Sequence, residues 1–445
     1  MERFALTDTN HTAEGASLFR PTYMPSTLAG WLTYLESLHP KTIALGLERV
    51  AQVKQRLNLT PDFPIIVVGG TNGKGSVCAM LESILHAAGY KVGCYTSPHL
   101  LRYNERVRIA KQQASDAELC AAFEKIEQAR GETPLTYFEF GTLAAMQCFI
   151  ERNVDVAILE VGLGGRLDAV NVFDSDCAVV ASVDIDHTDY LGETREKIAF
   201  EKAGIFRVGK VAICADRDVP QALCSHAQQI GAELWCIGSE FGFKSHQNQW
   251  DFSSKLGRRS GLPHPALRGA FQLHNASAAL AALDALKEKL PVSMAAVRRG
   301  LVEVQLAGRF QFVPGKPTLI LDVAHNPHAA RSLAQNLAGL PPCPHTYALF
   351  AMLKDKDMAG VAAALDAHID TWLIAGITAP RGATAGELAQ VLRQTGVRGE
   401  IQTFENIAGA LRYAYNAAGE NDRIAAFGSF HTVAEVMAEK GLRIL

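Results

Sequence analysis

Short apolar runs alternate along this chain with stretches whose apolar residues recur at helical spacing. The run Ile65 to Val68 predicts a strand, and the amphipathic stretch 77–88 after it predicts a helix. Upstream, Ile43, Leu47, Val50 and Leu57 predict a helix over about 42–57. Downstream, the pattern predicts a strand near 92–95, helices near 117–130 and 138–152, and apolar strands at 154–161, 178–183 and 211–215. Such alternation builds a largely parallel sheet covered by helices, because parallel strands are joined by helical crossovers. The segment 238–264 breaks the rhythm. Phe241, Phe243, Trp250 and Phe252 alternate there with polar residues, which predicts a small antiparallel excursion. Helices over about 274–289 and 293–301 close this first unit.

A Gly- and Pro-containing stretch, 307–317, marks a domain junction. Beyond it a second alternation begins, with strands at 318–323, 347–351, 372–375 and 424–427. The expected class is α/β: a larger domain with a mostly parallel sheet over residues 1–309, and a smaller α/β domain over 310–445. With 43 Lys and Arg against 46 Asp and Glu, the net charge of −3 offers no basic field for nucleic acid. The apolar runs are too short to span a membrane, and residues 1–25 lack the basic-then-apolar order of a signal peptide. Nine cysteines without a C-x-x-C pair predict buried, reduced thiols in a cytoplasmic protein. No exposed heptad or repeated apolar stripe stands out, so a monomer is expected.

Chemistry concentrates where strands end. The first strand runs into Gly69-Gly70-Thr71-Asn72-Gly73-Lys74-Gly75-Ser76 and then a helix, the context of a phosphate-binding loop. Glycines there let backbone N–H groups close on phosphates, and the helix N-terminus adds positive potential. Lys74 is placed to reach the β- and γ-phosphates, and Ser76 to sit near the phosphates or a metal. Gly75 departs from the general pattern, which sets Ser or Thr directly after the lysine.

Glu160 ends an apolar strand ahead of Gly162, Gly164, Gly165 and Arg166, a position that suits either a Mg²⁺ carboxylate or a helix cap. A dinucleotide fingerprint fits worse, because the final glycine is missing. His187, in Asp186-His187-Thr188-Asp189, is either a ligand or a capped turn residue. Lys202 closes a helix, where it complements the dipole or, if buried, reacts with CO₂ to give a carbamate. In the later domain Asn326 and Pro327 read as N-cap and first helical residue, which leaves Asp322 and His325 at the strand end to meet substrate. Ser429, in Gly428-Ser429-Phe430-His431, repeats that arrangement.

These motifs, with Thr96-Ser97-Pro98-His99-Leu100, Glu160 through Asp168, Glu201-Lys202-Ala203-Gly204-Ile205 and Asp322 through Pro327, strongly resemble the folylpolyglutamate synthase family of the Mur ligase superfamily. That family includes bifunctional bacterial members that also act as dihydrofolate synthase. The resemblance runs from about Trp31 onward and implies a P-loop ATPase domain joined to a smaller Rossmann-like domain, with catalysis in the cleft between them. It implies ATP contacts from Thr71, Asn72, Gly73, Lys74, Gly75 and Ser76, and from Asn275, Arg309 and Asp322. Ser97, Glu160 and His187 match its Mg²⁺ ligands, and Lys202 matches a lysine that is carbamylated in the family and supports a second Mg²⁺. The pterin or folate is implied near Thr42, Ile43, Ala44 and Leu45, near Thr136, Tyr137, Phe138 and Glu139, and near Leu167 and Asp168. Ala44 stands where an aspartate often occurs in the family. His325 and Ser429 look suited to the incoming glutamate and the acyl group, which makes Lys74, Lys202 and His325 the implied catalytic set.

The reaction so implied is the ATP-dependent addition of L-glutamate to dihydropteroate, to reduced folate polyglutamates, or to both. It passes through an acyl phosphate and releases ADP and phosphate. A monofunctional folylpolyglutamate synthase is the near alternative. A peptidoglycan-building Mur enzyme fits less well, because the phosphate loop starts too early to leave room for a nucleotide-sugar domain before it. An ATP-binding regulatory module has no use for Asp322, His325 and Ser429 in a second domain.

Overall fold

The computed structural model describes residues 24–39 and 43–444, so Thr42 and the first part of the N-terminal stretch lie outside the described residues. Eight strands form the larger sheet: β1 (Ile65–Gly69), β2 (Val92–Tyr95), β3 (Val107–Ile109), β4 (Gln112–Gln113), β5 (Val156–Glu160), β6 (Cys177–Val180), β7 (Val211–Cys214) and β8 (Glu233–Cys236). Their order is β4-β3-β2-β5-β1-β6-β7-β8. All neighbours from β2 to β8 pair in parallel, and only the β2-β3-β4 edge is antiparallel. The central strand β1 is buried along its length because helices cover both faces of the sheet. Alternate side chains feed two cores: Ile65 and Val67 join one, Ile66 and Val68 the other.

The second of these cores is built on the helix Lys74–Ala87 that follows β1, packed by the helices Gln272–Ala285 and Met294–Glu303. Gly300 sets the approach of the last of these. A Cβ added there would lie 2.5 Å from the Ile84 Cα and 2.7 Å from its N, so the two backbones nearly touch. Gly300→Ala is therefore expected to push this helix off its neighbour and cost about 1–3 kcal/mol by overpacking. A thermal melt reads this as a lowered Tm; an unchanged Tm contradicts the close packing.

Strands β9 (Phe241–Ser245), β10 (Trp250–Ser254) and β11 (Gly257–Leu262) form a separate antiparallel sheet that buries Phe241, Trp250 and Phe252. The smaller α/β domain holds a six-stranded sheet. Its strands are β12 (Gln311–Val313), β13 (Thr318–Leu321), β14 (Thr346–Phe350), β15 (Thr371–Ala375), β16 (Glu400–Phe404) and β17 (Arg423–Phe427). They lie in the order β12-β13-β17-β14-β15-β16, parallel except for the β12 hairpin.

Several elements depart from the hydrophobic pattern for identifiable reasons. The helix expected over 42–57 is Glu48–Arg56, because Gly46 sits at φ +137° and donates its N–H to the Leu167 carbonyl instead of entering a helix. The helix after β1 begins three residues early, at Lys74, because Gly73 takes the left-handed conformation at the N-cap. Strand β6 stops at Val180, since Ala181 and Ser182 turn to bond the phosphate loop: the Ala181 N–H donates to Gly69 and the Ser182 carbonyl accepts from Thr71. The helix expected over 274–289 runs from Gln272 to Ala285.

Candidate active site

In parallel sheets, loops at the carboxyl ends of neighbouring strands open into a crevice. Here the loops after β2, β5, β1 and β6 meet at one edge of the large sheet, and those after β13, β17 and β14 at one edge of the small sheet. The two edges share a cavity of about 730 Å³. Contacts between the domains close over it. Asn72 and Asn326 exchange side-chain amide hydrogen bonds at 3.1 and 3.2 Å, and Asn326 also donates to Asp186. Lys356 pairs with Asp186 at 2.7 Å, and Arg331 with Asp184 at 3.0 Å.

The phosphate loop is shaped by its glycines. Gly73 lies at φ +86°, and a Cβ there would come within 2.6 Å of Asn275 Oδ1. Thr71 and Asn72 are tied to the turn after β6, their N–H groups donating to the Ser182 carbonyl and hydroxyl. Lys74 Nζ donates to the Gly70 and Thr71 carbonyls. Burial lowers the Lys74 pKa, against the pull of Glu160 and Asp186. Ser76 is buried and lines the cavity in the first helical turn.

Opposite Gly75 lies Arg309, whose Nη2 would stand 3.5 Å from a Cβ added to that glycine, with Glu160 Oε1 at 3.9 Å. The bare glycine thus leaves an open cradle between a guanidinium, a carboxylate and a helix N-terminus. Arg309 itself rests over the Phe430 ring. Asp322 holds the junction at this point: it accepts from the Phe310 and Ala324 N–H groups, and burial lifts its pKa to about 6.

Glu160 is buried and accepts one hydrogen bond, from the Ser97 N–H at 3.1 Å. Burial raises its pKa although Lys74 pulls it down. The loop carrying Ser97 is folded by Glu105, which accepts from the N–H groups of Leu100, Leu101 and Arg102. His187 sits at φ +53°, and its Nε2 accepts from Lys356 Nζ at 3.2 Å. Burial holds the His187 pKa near 4, with Asp186 opposing. His325, also held near 4 by burial and then by Lys356, is pinned through Nδ1 to the Val323 carbonyl. Lys202 is buried at the end of helix Arg195–Ala203, its amine makes no hydrogen bond or ion pair among the described residues, and it lines the cavity. Burial, followed by Lys74, lowers its pKa to about 7.

The cavity brings together Thr71 to Ser76, Ser97, Glu160, His187, Lys202, Asn275, Arg309, Asp322, His325 and Ser429. The Ser429 hydroxyl also caps helix Phe430–Glu439, accepting from the Thr432 N–H. Of the residues singled out for the pterin, those among the described residues do not line the cavity. Thr136 and Glu139 form a capping box on helix Tyr137–Glu151, and Glu139 further pairs with Arg49 at 2.9 Å. Arg49 in turn donates to the Ala44 carbonyl, while Leu167 accepts from Gly46. Phe138 packs its ring on Gly162. Asp168 is buried under the Leu163 and Val170 N–H groups, and burial lifts its pKa to about 7. Ile43 and Leu45 flank Ala44 in the irregular segment ahead of helix Glu48–Arg56. The Tyr137 ring lies 5.4 Å from the guanidinium carbon of Arg106, which does line the cavity.

Sequence reasoning gave no role to Asp186, Lys356, His99 or Arg106. Lys356 follows β14, so the strand-end rule alone pointed to its neighbourhood.

The donor set suits a nucleotide and a hard cation. Among the described residues no three His, Cys, Asp or Glu side chains converge as a metal cage. Mg²⁺-type ions are instead held by one or two protein oxygens and completed by phosphate oxygens and water. Ser97 and the buried Glu160, beside the phosphate loop, are such a partial set.

Two family profiles match the chain: the Mur ligase middle domain over residues 68–283 and the Mur ligase glutamate ligase domain over residues 308–430. The dihydrofolate synthase/folylpolyglutamate synthase of Escherichia coli is 48% identical over 413 residues, spanning 93% of this chain and 95% of the relative. The structure of Escherichia coli FolC in complex with DHPP and ADP superposes with a TM-score of 0.90 at 47% identity, covering 95% and 99% of the two chains. A bifunctional folylpolyglutamate synthase/dihydrofolate synthase with Mn, AMPPNP and L-glutamate bound matches at TM-score 0.87 and 48% identity, over 94% and 100%.

Proposed function

The chain belongs to the dihydrofolate synthase/folylpolyglutamate synthase family of Mur ligases, and from that membership we infer that it joins L-glutamate to dihydropteroate and to reduced folates at the expense of ATP. The observation that carries the reading is the shared cavity, with a phosphate loop on one wall and the strand-end residues His325 and Ser429 on the other. We take residues 1–309 as the ATP-binding unit and 310–445 as the ligase unit.

A carboxylate repels nucleophiles because it is already negative. Transfer of the γ-phosphoryl group of ATP to it gives an acyl phosphate and ADP. The glutamate amine then adds to the carbonyl carbon, loses a proton, and phosphate leaves. Lys74 of the phosphate loop and Arg309, which faces Gly75, offset the charge that builds on the phosphoryl oxygens. A divalent cation, Mg²⁺ in our reading, held by Ser97 and Glu160 supplies further charge neutralisation when bound. His187 extends the set once its Nε2 is released by Lys356.

Lys202 gains its place through its neutral amine, which burial favours. The amine adds to CO₂, the nitrogen gives up a proton to solvent, and the resulting carbamate is an anionic ligand for a second cation where a bare lysine would repel it. His325, neutral at physiological pH and with its Nδ1–H given to the Val323 carbonyl, offers a bare Nε2 as acceptor to the incoming amine. The Asn72–Asn326 and Asp186–Lys356 contacts keep the halves closed, which excludes water from the acyl phosphate.

One chain completes this cavity, so the reading needs no second copy. The nine cysteines are free, as suits a reducing compartment such as the cytoplasm, and no helix among the described residues is long and apolar enough to cross a membrane. Arg309→Ala is expected to raise the KM for ATP roughly tenfold or more through loss of charge-assisted contacts. Steady-state kinetics with varied ATP checks it, and an unchanged ATP dependence removes Arg309 from the site. Mass spectrometry of a reaction holding ATP, L-glutamate and dihydropteroate tests the function itself. A glutamylated product supports it; ADP formed without that product refutes it.

A further inference from the structure

Arg106 is a guanidinium on the cavity wall that is held from one side and keeps its forked end for a ligand. It lies between the cavity and helix Tyr137–Glu151. Its Nε donates to His99 Nδ1 at 2.9 Å, and its guanidinium carbon stands 5.4 Å from the ring centres of both Tyr103 and Tyr137. Those two rings meet edge to face at 83°, so the plane of the fork is fixed by a rigid platform. Nη1 and Nη2 have no hydrogen bond or ion pair among the described residues. Arg381 of the smaller domain, also on the cavity wall, is by contrast tied to Asp355 at 3.1 Å. A fixed guanidinium with both terminal nitrogens free is matched in geometry and charge by a carboxylate, which it binds through two parallel hydrogen bonds.

The two acceptors of the proposed reaction differ in the carboxylates they bring. Dihydropteroate ends in a single carboxylate, the one that reacts. A folate ends in glutamate, with a γ-carboxylate that reacts and an α-carboxylate that does not. Resting on the ligase reading above, we propose that Arg106 grips this bystander α-carboxylate, forming a subsite that serves folate acceptors and has no partner on dihydropteroate. It lines the same cavity as the phosphate loop, where the reacting carboxylate of an acceptor has to come.

The test is a comparison of acceptors in the intact enzyme. Arg106→Gln removes the charge at similar length, and Arg106→Lys keeps the charge without the fork. KM and kcat are measured for dihydropteroate, for a tetrahydrofolate monoglutamate and for L-glutamate, with ADP binding as the check that each variant is folded. The expected result is a rise in the tetrahydrofolate KM that exceeds the rise for dihydropteroate by roughly tenfold or more, partly recovered in Arg106→Lys. Equal rises for both acceptors overturn the subsite and make Arg106 a structural support. A rise confined to L-glutamate also overturns it, assigning the fork to the incoming amino acid. If the unsubstituted enzyme uses dihydropteroate but no folate, the subsite fails and the ligase reading stands; if it uses neither, the ligase reading itself fails. Should Arg106→Gln lose ADP binding, Arg106→Lys carries the same comparison.

Discussion

Lys74→Ala is expected to lower kcat/KM by roughly 10³-fold or more, the scale of losing a principal charge from a phosphoryl-transfer site. The fold should survive. Lys74 is enclosed by the phosphate loop and the cavity rather than by the apolar core, and its Nζ bonds only the Gly70 and Thr71 carbonyls. Losing those bonds costs about 1–3 kcal/mol, which a thermal melt separates from the far larger kinetic effect. Glu160 and Asp186 raise the Lys74 pKa against burial, so an anionic environment is built around this cation before any substrate arrives. A variant that melts normally and turns over at near-normal rates would remove Lys74 from phosphate chemistry.

Lys202→Ala is the second large loss, on the order of 10²-fold for an anionic ligand removed from a metal-dependent site. The carbamate reading adds a distinctive rescue. Short carboxylic acids such as formate or acetate fill the space left by the side chain and return the missing anion, so they restore part of the activity. No rescue, or a liganded structure showing a bare Lys202 amine, contradicts it. Stability carries a second signature. An unmodified Lys202 is held near pH 7, against 10.5 for the free side chain, so between those values the unfolded state binds more protons. Its burial penalty is full below about pH 7 and fades as the pH rises through that window, a slope that Lys202→Ala removes.

The sequence carried the larger frame because that frame is written in local patterns. Apolar runs such as Ile65 to Val68 are legible as strands since both sheet faces are covered. The glycine spacing around Lys74 announces a phosphate loop because so few other residues tolerate the conformation at Gly73. Short edge elements escaped. Strands β3 and β4 hold three and two residues, too few for any period to register. Strand β16, Glu400–Phe404, alternates with polar residues and borders the small sheet, so it lacks the apolar run that marked its neighbours.

The site was legible where one loop supplies a whole function and illegible where function arises between segments. Lys356 meets Asp186 across 170 positions, and no local pattern encodes that encounter. Arg106 gains its free fork from His99, Tyr103 and Tyr137 together. The segment 136–139 shows the opposite case. Its residues look like a recognition motif in sequence, but Thr136 and Glu139 are also a complete capping box, a local task that explains both without a ligand.

The most direct test of the account is ADP formation by the purified enzyme with ATP, a divalent cation and L-glutamate, in the presence of dihydropteroate, of a tetrahydrofolate, or of neither. ADP release is expected to require L-glutamate together with an acceptor and to proceed with both acceptors. ADP release indifferent to L-glutamate and to both acceptors would contradict it.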